Sequence, residues 1–406
     1  MGKTTYLSAQ EAATELGISR ATLYAYVSRG LVRSEALGGK LRQRRYRAED
    51  IQRLKQRKAL RRNPAKTAEQ ALNWGIPVLE SGLTLISDGH LYYRGKDALD
   101  LALHSRLEAV ANLLWGGKAS TTSKKDLEIS FPADIHANID WGVLAPINAF
   151  QAALVQAESK DPAAFDLRAE VVAQKGLGML KLLARIAAGF AGGMREVTGA
   201  SIAEILRSGW APTRPEVDRL VNTALVLCAD HELNVSAFTA RCVASAGSSP
   251  YAAVIAGLAA LQGTKHGGVT RRVEALFQEV SNPSQAQAVL SERLKRGEAI
   301  PGFGHPLYPD GDPRARLLLE LIPALAEPRQ MDLAEAIARQ AQRLIGEPPT
   351  IDFALVCLAR ALEFPQEAAI MIFAIGRTVG WLAHAIEQYQ MDALIRPRAR
   401  YSGPQP

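Results

Sequence analysis

The chain reads as an all-α protein, a multilayer helical body behind a small basic winged helix-turn-helix. From Ala71 onward, long Ala/Leu-rich segments alternate with breakers at Gly116-Gly117, Pro146, Gly192-Gly193, Pro215, Pro250 and Pro365. Residues 1–66 hold 16 Lys+Arg against 5 Asp+Glu, whereas the remaining 340 hold 32 against 36. One end is therefore built to meet a polyanion and the rest is not. With 406 residues, 48% hydrophobic and 22% charged, the chain can bury a large core.

The head opens with Ser8-Ala9-Gln10-Glu11, a capping box that starts a helix with Ala12, Ala13 and Leu16 inward. Gly17 ends that helix, and Ser19 caps a second one that buries Leu23 and Val27 and carries Arg20, Thr22 and Tyr24. Gly38-Gly39 supplies a hairpin turn before Leu41–Arg47, and a third helix follows from about Ala48 with Ile51 and Leu54 apolar. Two short helices around a glycine turn, followed by an Arg-rich hairpin, are a helix-turn-helix with a wing. Arg20, Thr22 and Tyr24 on the second helix and Arg42, Arg44 and Arg45 on the wing are its candidate DNA contacts. Residues 1–60 form this head, and 61–70, with Pro64, read as a linker.

In the body, Thr84–Tyr93 alternates as a small hairpin, and Pro215 and Pro250 stand just ahead of apolar-periodic stretches. Cys228, Cys242 and Cys357 are odd in number and lack metal-ligand spacing, which speaks against a disulfide framework or a metal cage and fits a cytoplasmic protein. The longest apolar runs are interrupted by Lys181 and Arg185 or by Arg377, so no membrane span is expected. No G-x-S-x-G elbow occurs. Three histidines keep unusual company: His231 in Asp230-His231-Glu232, His266 in Lys265-His266-Gly267-Gly268, and His305 in Pro301-Gly302-Phe303-Gly304-His305, nine residues ahead of Arg314. Two are glycine-flanked and all are separated by long helical segments, which suits convergence on a cleft between domains.

At this point the residues match a family. Residues from about 79 to 403 resemble citrate synthases through "DGHLYYRGKDALDLALHSRLEAVANLLWGG", "ADHELNVSAFTAR", "KHGG", "PGFGHPLYPDGDPRA", "TIDFA", "FAIGRTVGWLAHAIEQ" and "IRPRARYSG", in that order. The head resembles MerR-type regulators and excisionases through "YLSAQEAATELGISRATLYAYVSRGLV" and "RRYRAEDIQRL". The first resemblance implies condensation of acetyl-CoA with oxaloacetate and hydrolysis of the citryl thioester, with no cofactor and no metal. It implies a large domain of residues 71–239 and 346–406 and a small mobile one of 240–345.

The same resemblance implies roles. Asp352 is the base, His266 the neutral donor to the thioester oxygen, kept uncharged by the helix that follows, and His305 the acid. His231, Arg314, Arg377 and Arg396 clamp oxaloacetate, Arg396 coming from the partner of a homodimer. Ile300, Gly302, Phe303, Gly304 and Phe373 face the acyl-CoA. Pro309 and Pro306 stand where relatives often carry cations, Thr270 where many have Asn, and Cys228 where a histidine is common. Two other functions are compatible with these residues: a 2-methylcitrate synthase using propionyl-CoA, and a transcriptional regulator whose body senses a metabolite.

Overall fold

A computed structural model describes residues 6–28, 31–36, 44–48, 50–51, 54, 79–117, 144–190, 201–399 and 401–404. The chain separates into two units, residues 1–80 and 81–406. In the head, Ser8 N donates to Glu11 Oε2 at 2.8 Å and Glu11 N to Ser8 Oγ at 3.2 Å, so the capping box starts α1 (Ala9–Leu16). Gly17, at φ +58°, turns the chain toward α2 (Arg20–Ser28), whose first turn is capped by Ser19 Oγ accepting from Thr22 N at 3.1 Å. Strands β1 (Tyr6–Leu7), β2 (Ser34–Ala36) and β3 (Arg44–Arg47) form an antiparallel sheet in the order β1-β3-β2. Residues 48, 50, 51 and 54 are helical. Ala12, Ala13, Leu16, Leu23, Val32, Tyr46 and Ile51 make the core, and Arg33 grips buried Asp50 through Nε and Nη2 at 3.0 and 2.9 Å. The Gly38-Gly39 turn, Arg42 and the linker 61–70 lie outside the described residues.

The body begins with the expected hairpin. Strands β4 (Thr84–Ser87) and β5 (His90–Tyr93) pair around Asp88-Gly89, both at positive φ, and β6 (Lys96–Asp97) adds to β5. Helices then follow: α3 (Ala98–His104), α4 (Leu107–Leu114), α5 (Pro146–Lys160), α6 (Ala169–Gly189), α7 (Ile202–Trp210), α8 (Val217–Leu227), α9 (Val235–Ser245) and α10 (Pro250–Leu261). Beyond these come α11 (Val269–Val280), α12 (Ala286–Lys295), α13 (Pro313–Leu321), α14 (Pro328–Ile345), α15 (Ile351–Ala361) and α16 (Ala368–Met391).

Helix α16 is the axis of the body. It packs against α4, α6, α8, α9 and α10, and α15 lies against it as well. By length and apolarity it would suffice to cross a membrane, but its apolar stretch is buried entirely within the fold, so its hydrophobicity is that of a core helix. Helices α11 to α15 pack mainly on one another. The domain boundary expected at residue 240 therefore runs through α9, and the one at 345 detaches α15 from α11 and α13, which it packs against. The physical reason is that α9 and α10 form a hairpin whose apolar faces are covered by α16.

Small residues let α16 approach the end of α8. A Cβ on Gly376 would stand 2.5 Å from the carbonyl oxygen of Leu225, and one on Gly380 2.4 Å from that of Ala229. Both clashes are with backbone, which cannot give way cheaply. Gly380→Ala should consequently cost about 1–3 kcal/mol, read as a lower denaturant midpoint at unchanged slope. An unaltered midpoint would show that α16 has room to shift.

Candidate active site

Five segments deliver the candidate residues. The loop after α8 carries His231 and is closed by Asn234, whose Oδ1 accepts from Ser236 N and Ala237 N at 3.1 Å each to start α9. His266 lies in the turn between α10 and α11, where Val269 N donates to its carbonyl at 2.9 Å. The segment 301–312 carries His305 and is stitched to residues 348–350: Thr350 N donates to Gly302 O and Gly304 N to Pro348 O, both at 2.9 Å. Asp352 sits in the first turn of α15, and α16 supplies Phe373 and Arg377.

The stitching explains the glycines around His305. Gly302 and Gly304 adopt φ +86° and +76°, and a Cβ on Gly302 would meet Val273 Cγ2 at 2.7 Å. Ile300 is buried in the core, and Phe303 packs on Phe353 with ring centroids 4.8 Å apart. These positions were expected to face an acyl-CoA. Their contacts within the chain build the loop that presents His305.

Both arginines are held from behind. Arg314 donates through Nε and Nη2 to the two oxygens of Asp312 at 2.9 and 2.8 Å, and Asp312 also accepts from Ile351 N at 3.1 Å, fastening α13 to the start of α15. Arg377 donates through Nε to Cys228 O at 2.7 Å, and its guanidinium lies 4.8 Å over the Phe373 ring. Arg314 and Arg377 are 2% and 1% exposed, so their charges act in a poorly screened interior.

The three histidines meet this cluster as neutral imidazoles. His231 and His305 lie edge to face at 5.2 Å, and His266 meets Phe373 edge to face at 5.9 Å. Burial, with Arg377 beside it, pushes His266 down to about 4. Burial and then Arg314 do the same to His305, also to about 4, and His231 is pushed well below its ordinary value by burial and both arginines. Asp352 moves the other way, raised by burial to about 6 despite the opposing pull of Arg314.

Hydrogen bonds constrain where the ring protons sit. Leu307 N donates to His305 Nδ1 at 3.2 Å, which puts the proton of the neutral ring on Nε2. Ser236 Oγ accepts from Trp381 Nε1 at 3.1 Å and touches both Asn234 Oδ1 and His266 Nε2 at 2.8 Å. Tyr308 OH lies 3.0 Å from His231 Nε2. Ser236, Tyr308 and Asp312 were not singled out as site residues, although all three stand inside the strings that carry the resemblance. The available signal was a hydroxyl or carboxylate a few residues from each candidate histidine or arginine.

Arg396 stands apart. It is exposed on the segment after α16, which Ile395 N fastens to Ser245 Oγ at 3.1 Å, and it shares no hydrogen bond, ion pair or ring contact with the cluster. In the head, Tyr24 is 52% exposed, Thr22 Oγ1 lies 2.9 Å from Ser19 Oγ, and Arg20 donates to Gln10 Oε1 at 2.9 Å. Arg44 reaches Ser34 O at 3.4 Å, whereas Arg45 donates to Glu35 Oε2 at 3.0 Å and lies 4.2 Å over the Tyr6 ring. Arg45 thus stabilises the wing as well as charging it.

The citrate synthase C-terminal domain profile matches residues 71–398, and a helix-turn-helix domain profile matches residues 6–59. Citrate synthase 2 of Bacillus subtilis is 32% identical over 83% of this chain and 96% of its own length. The 2-methylcitrate synthase 2 of Corynebacterium glutamicum is 28% identical, covering 77% and 88%. The crystal structure of citrate synthase from Thermotoga maritima superposes with a TM-score of 0.69 at 27% identity, over 82% of this chain and 95% of that one. By sequence and fold together, the chain belongs to the citrate synthase family and is an acyltransferase of the citrate synthase type with a helix-turn-helix domain at its head.

Proposed function

We propose that the enzyme condenses acetyl-CoA with oxaloacetate to give citrate and CoA, and that the cluster of His231, His266, His305, Arg314, Asp352 and Arg377 is where it does so. The observation that carries this reading is the meeting of neutral imidazoles, which donate hydrogen bonds without carrying charge, with a carboxylate of raised affinity for a proton. Asp352 removes a proton from the thioester methyl. His266, whose Nε2 lies 2.8 Å from Ser236 Oγ, donates to the thioester oxygen as it gains charge. The resulting carbon nucleophile attacks the ketone of oxaloacetate, and His305 gives the alkoxide its Nε2 proton. Water then cleaves the citryl thioester. Arg314 and Arg377, with His231, hold the two carboxylates, and Arg396 joins them from the partner of a homodimer. The exposed Met391 and Leu394 near Arg396 support an interface there.

A second acyl donor is favoured by one observation, the similarity to a 2-methylcitrate synthase. One methylene is worth about 1–3 kcal/mol in an apolar pocket, so the ratio of kcat/KM for acetyl-CoA and propionyl-CoA distinguishes the two readings.

The head gives this enzyme a second proposed partner, duplex DNA, with Arg20, Thr22 and Tyr24 of α2 toward a groove and the wing arginines along phosphates. The surplus of 11 positive charges in residues 1–66 supports it.

Three outcomes test these proposals. Asp352→Asn should lower kcat for CoA release by about 10²–10⁴-fold while oxaloacetate still binds in calorimetry. Retained turnover would remove Asp352 from the reaction. For the wild type, kcat/KM should be flat above about pH 7, reach half its plateau near pH 6 and fall about tenfold per unit below that, because Asp352 must be ionised to act and protonates near 6, whereas His266 and His305 stay neutral down to about 4. An acid limb with an apparent pKa near 4 would contradict this order. Arg44→Ala with Arg45→Ala should weaken binding to any duplex and flatten its salt dependence, with citrate formation unchanged. Impaired catalysis without any DNA binding at low salt would make the head a structural cap.

A further inference from the structure

Tyr308 occupies the middle of the cluster. It is 1% exposed and lies on the segment that also carries His305. Its ring is 5.1 Å from that of His305 and 5.6 Å from that of His231, and the Arg314 guanidinium stands 5.6 Å over its face. Its hydroxyl lies 3.0 Å from His231 Nε2. A phenol buried in this way keeps its proton, since desolvation pushes Tyr308 up to about 12. A neutral imidazole has one ring nitrogen that donates and one that accepts. In one of the two pairings this allows, Tyr308 O–H donates to His231 Nε2 and the ring proton of His231 sits on Nδ1.

We propose that Tyr308 is a positioning residue for the dicarboxylate, fixing His231 in the Nδ1–H tautomer so that a neutral donor, not a lone pair, meets a substrate carboxylate. The inference rests on His231 as part of the dicarboxylate clamp. A carboxylate facing an imidazole lone pair would be repelled, and one facing an N–H gains a hydrogen bond. His231 does not become a donor on both nitrogens by protonation, because burial and then the Arg314 and Arg377 guanidiniums oppose it. Tautomer selection is then the remaining way to present a donor, and the Tyr308 hydroxyl supplies the selection. The same ring packs against His305, so the residue that orients the clamp also lines the group that protonates the product.

The test is Tyr308→Phe, which keeps the ring and its packing and removes only the oxygen. KM for oxaloacetate should rise about tenfold, with KM for the thioester and kcat at saturation changed by less than about twofold. An unchanged KM for oxaloacetate would overturn the proposal. Nitrogen-15 spectra of histidine-labelled, unliganded protein give a second readout, with the His231 signals assigned by their loss in His231→Asn. They should show a protonated Nδ1 and a bare Nε2 in the wild type and a tautomer mixture in Tyr308→Phe; a protonated Nε2 in the wild type would overturn the assignment. This readout needs no turnover, so a protein that makes no citrate but shows the tautomer shift separates failure of the proposed reaction from failure of the Tyr308 inference. If Tyr308→Phe fails to fold, the wild-type spectrum alone still decides the tautomer.

Discussion

Two buried guanidiniums set the terms on which everything around them is arranged. Arg314 is matched by a carboxylate that grips it through two hydrogen bonds, whereas Arg377 has a backbone carbonyl as its hydrogen-bond acceptor. A charge taken out of water at this depth is costly unless it is paired, so the cluster as folded holds an unspent affinity for anions. The same field decides the state of the imidazoles beside it. Each is held neutral by burial and by an arginine, and each has one ring nitrogen within hydrogen-bond distance of a group supplied by the chain: Tyr308 OH, Ser236 Oγ or Leu307 N. Neutral donors in a dry site stabilise developing negative charge without surrendering a proton prematurely, which is what enolate formation from a weak carbon acid requires.

The helical architecture exists to bring these groups to one place from distant parts of the chain. Close approach of α16 at Gly376 and Gly380 sets Arg377 against Cys228 O and places the helix beside Asp230, next to His231. Asp312 couples three things at once: it caps α13, pairs Arg314 and accepts from Ile351 N, one residue before Asp352. The two hydrogen bonds joining Gly302 and Gly304 to residues 348–350 keep His305 in register with the start of α15. A shift of any one helix would therefore alter several catalytic distances together, and an effective site depends on those distances to within about an ångström.

Much of this was legible in the sequence, for identifiable reasons. The capping box at Ser8 and Glu11, the turn at Asp88-Gly89 and the first-turn Pro250 are local signals, and each element forms where its residues put it. The ordered strings around His231, His266, His305 and Asp352 carried the family. What the residues could not convey was which partner each side chain finds across the fold. His266 is pushed toward the neutral form by burial and by Arg377, 111 positions away in the chain. Nor could the residues convey that a Cβ on Gly302 or Gly304 would meet Val273 or Glu347. Ser236 and Tyr308 gain their meaning only when α9 and the 301–312 segment are placed against His266 and His231. Sequence marks where α9 begins and ends, and packing reveals that α16 covers it.

The central claim is that this cluster makes an enolate from a thioester methyl, with Asp352 as the base. Its most direct measurement is deuterium incorporation from heavy water into the methyl group of acetyl-CoA, with a dicarboxylate present that lacks the reactive ketone and so fills the arginine clamp without being attacked. The account predicts exchange by the wild-type enzyme that is lost in Asp352→Asn and falls with pH below about 6. Equal exchange in both proteins, or none in a wild-type enzyme that nevertheless turns over oxaloacetate, would contradict it.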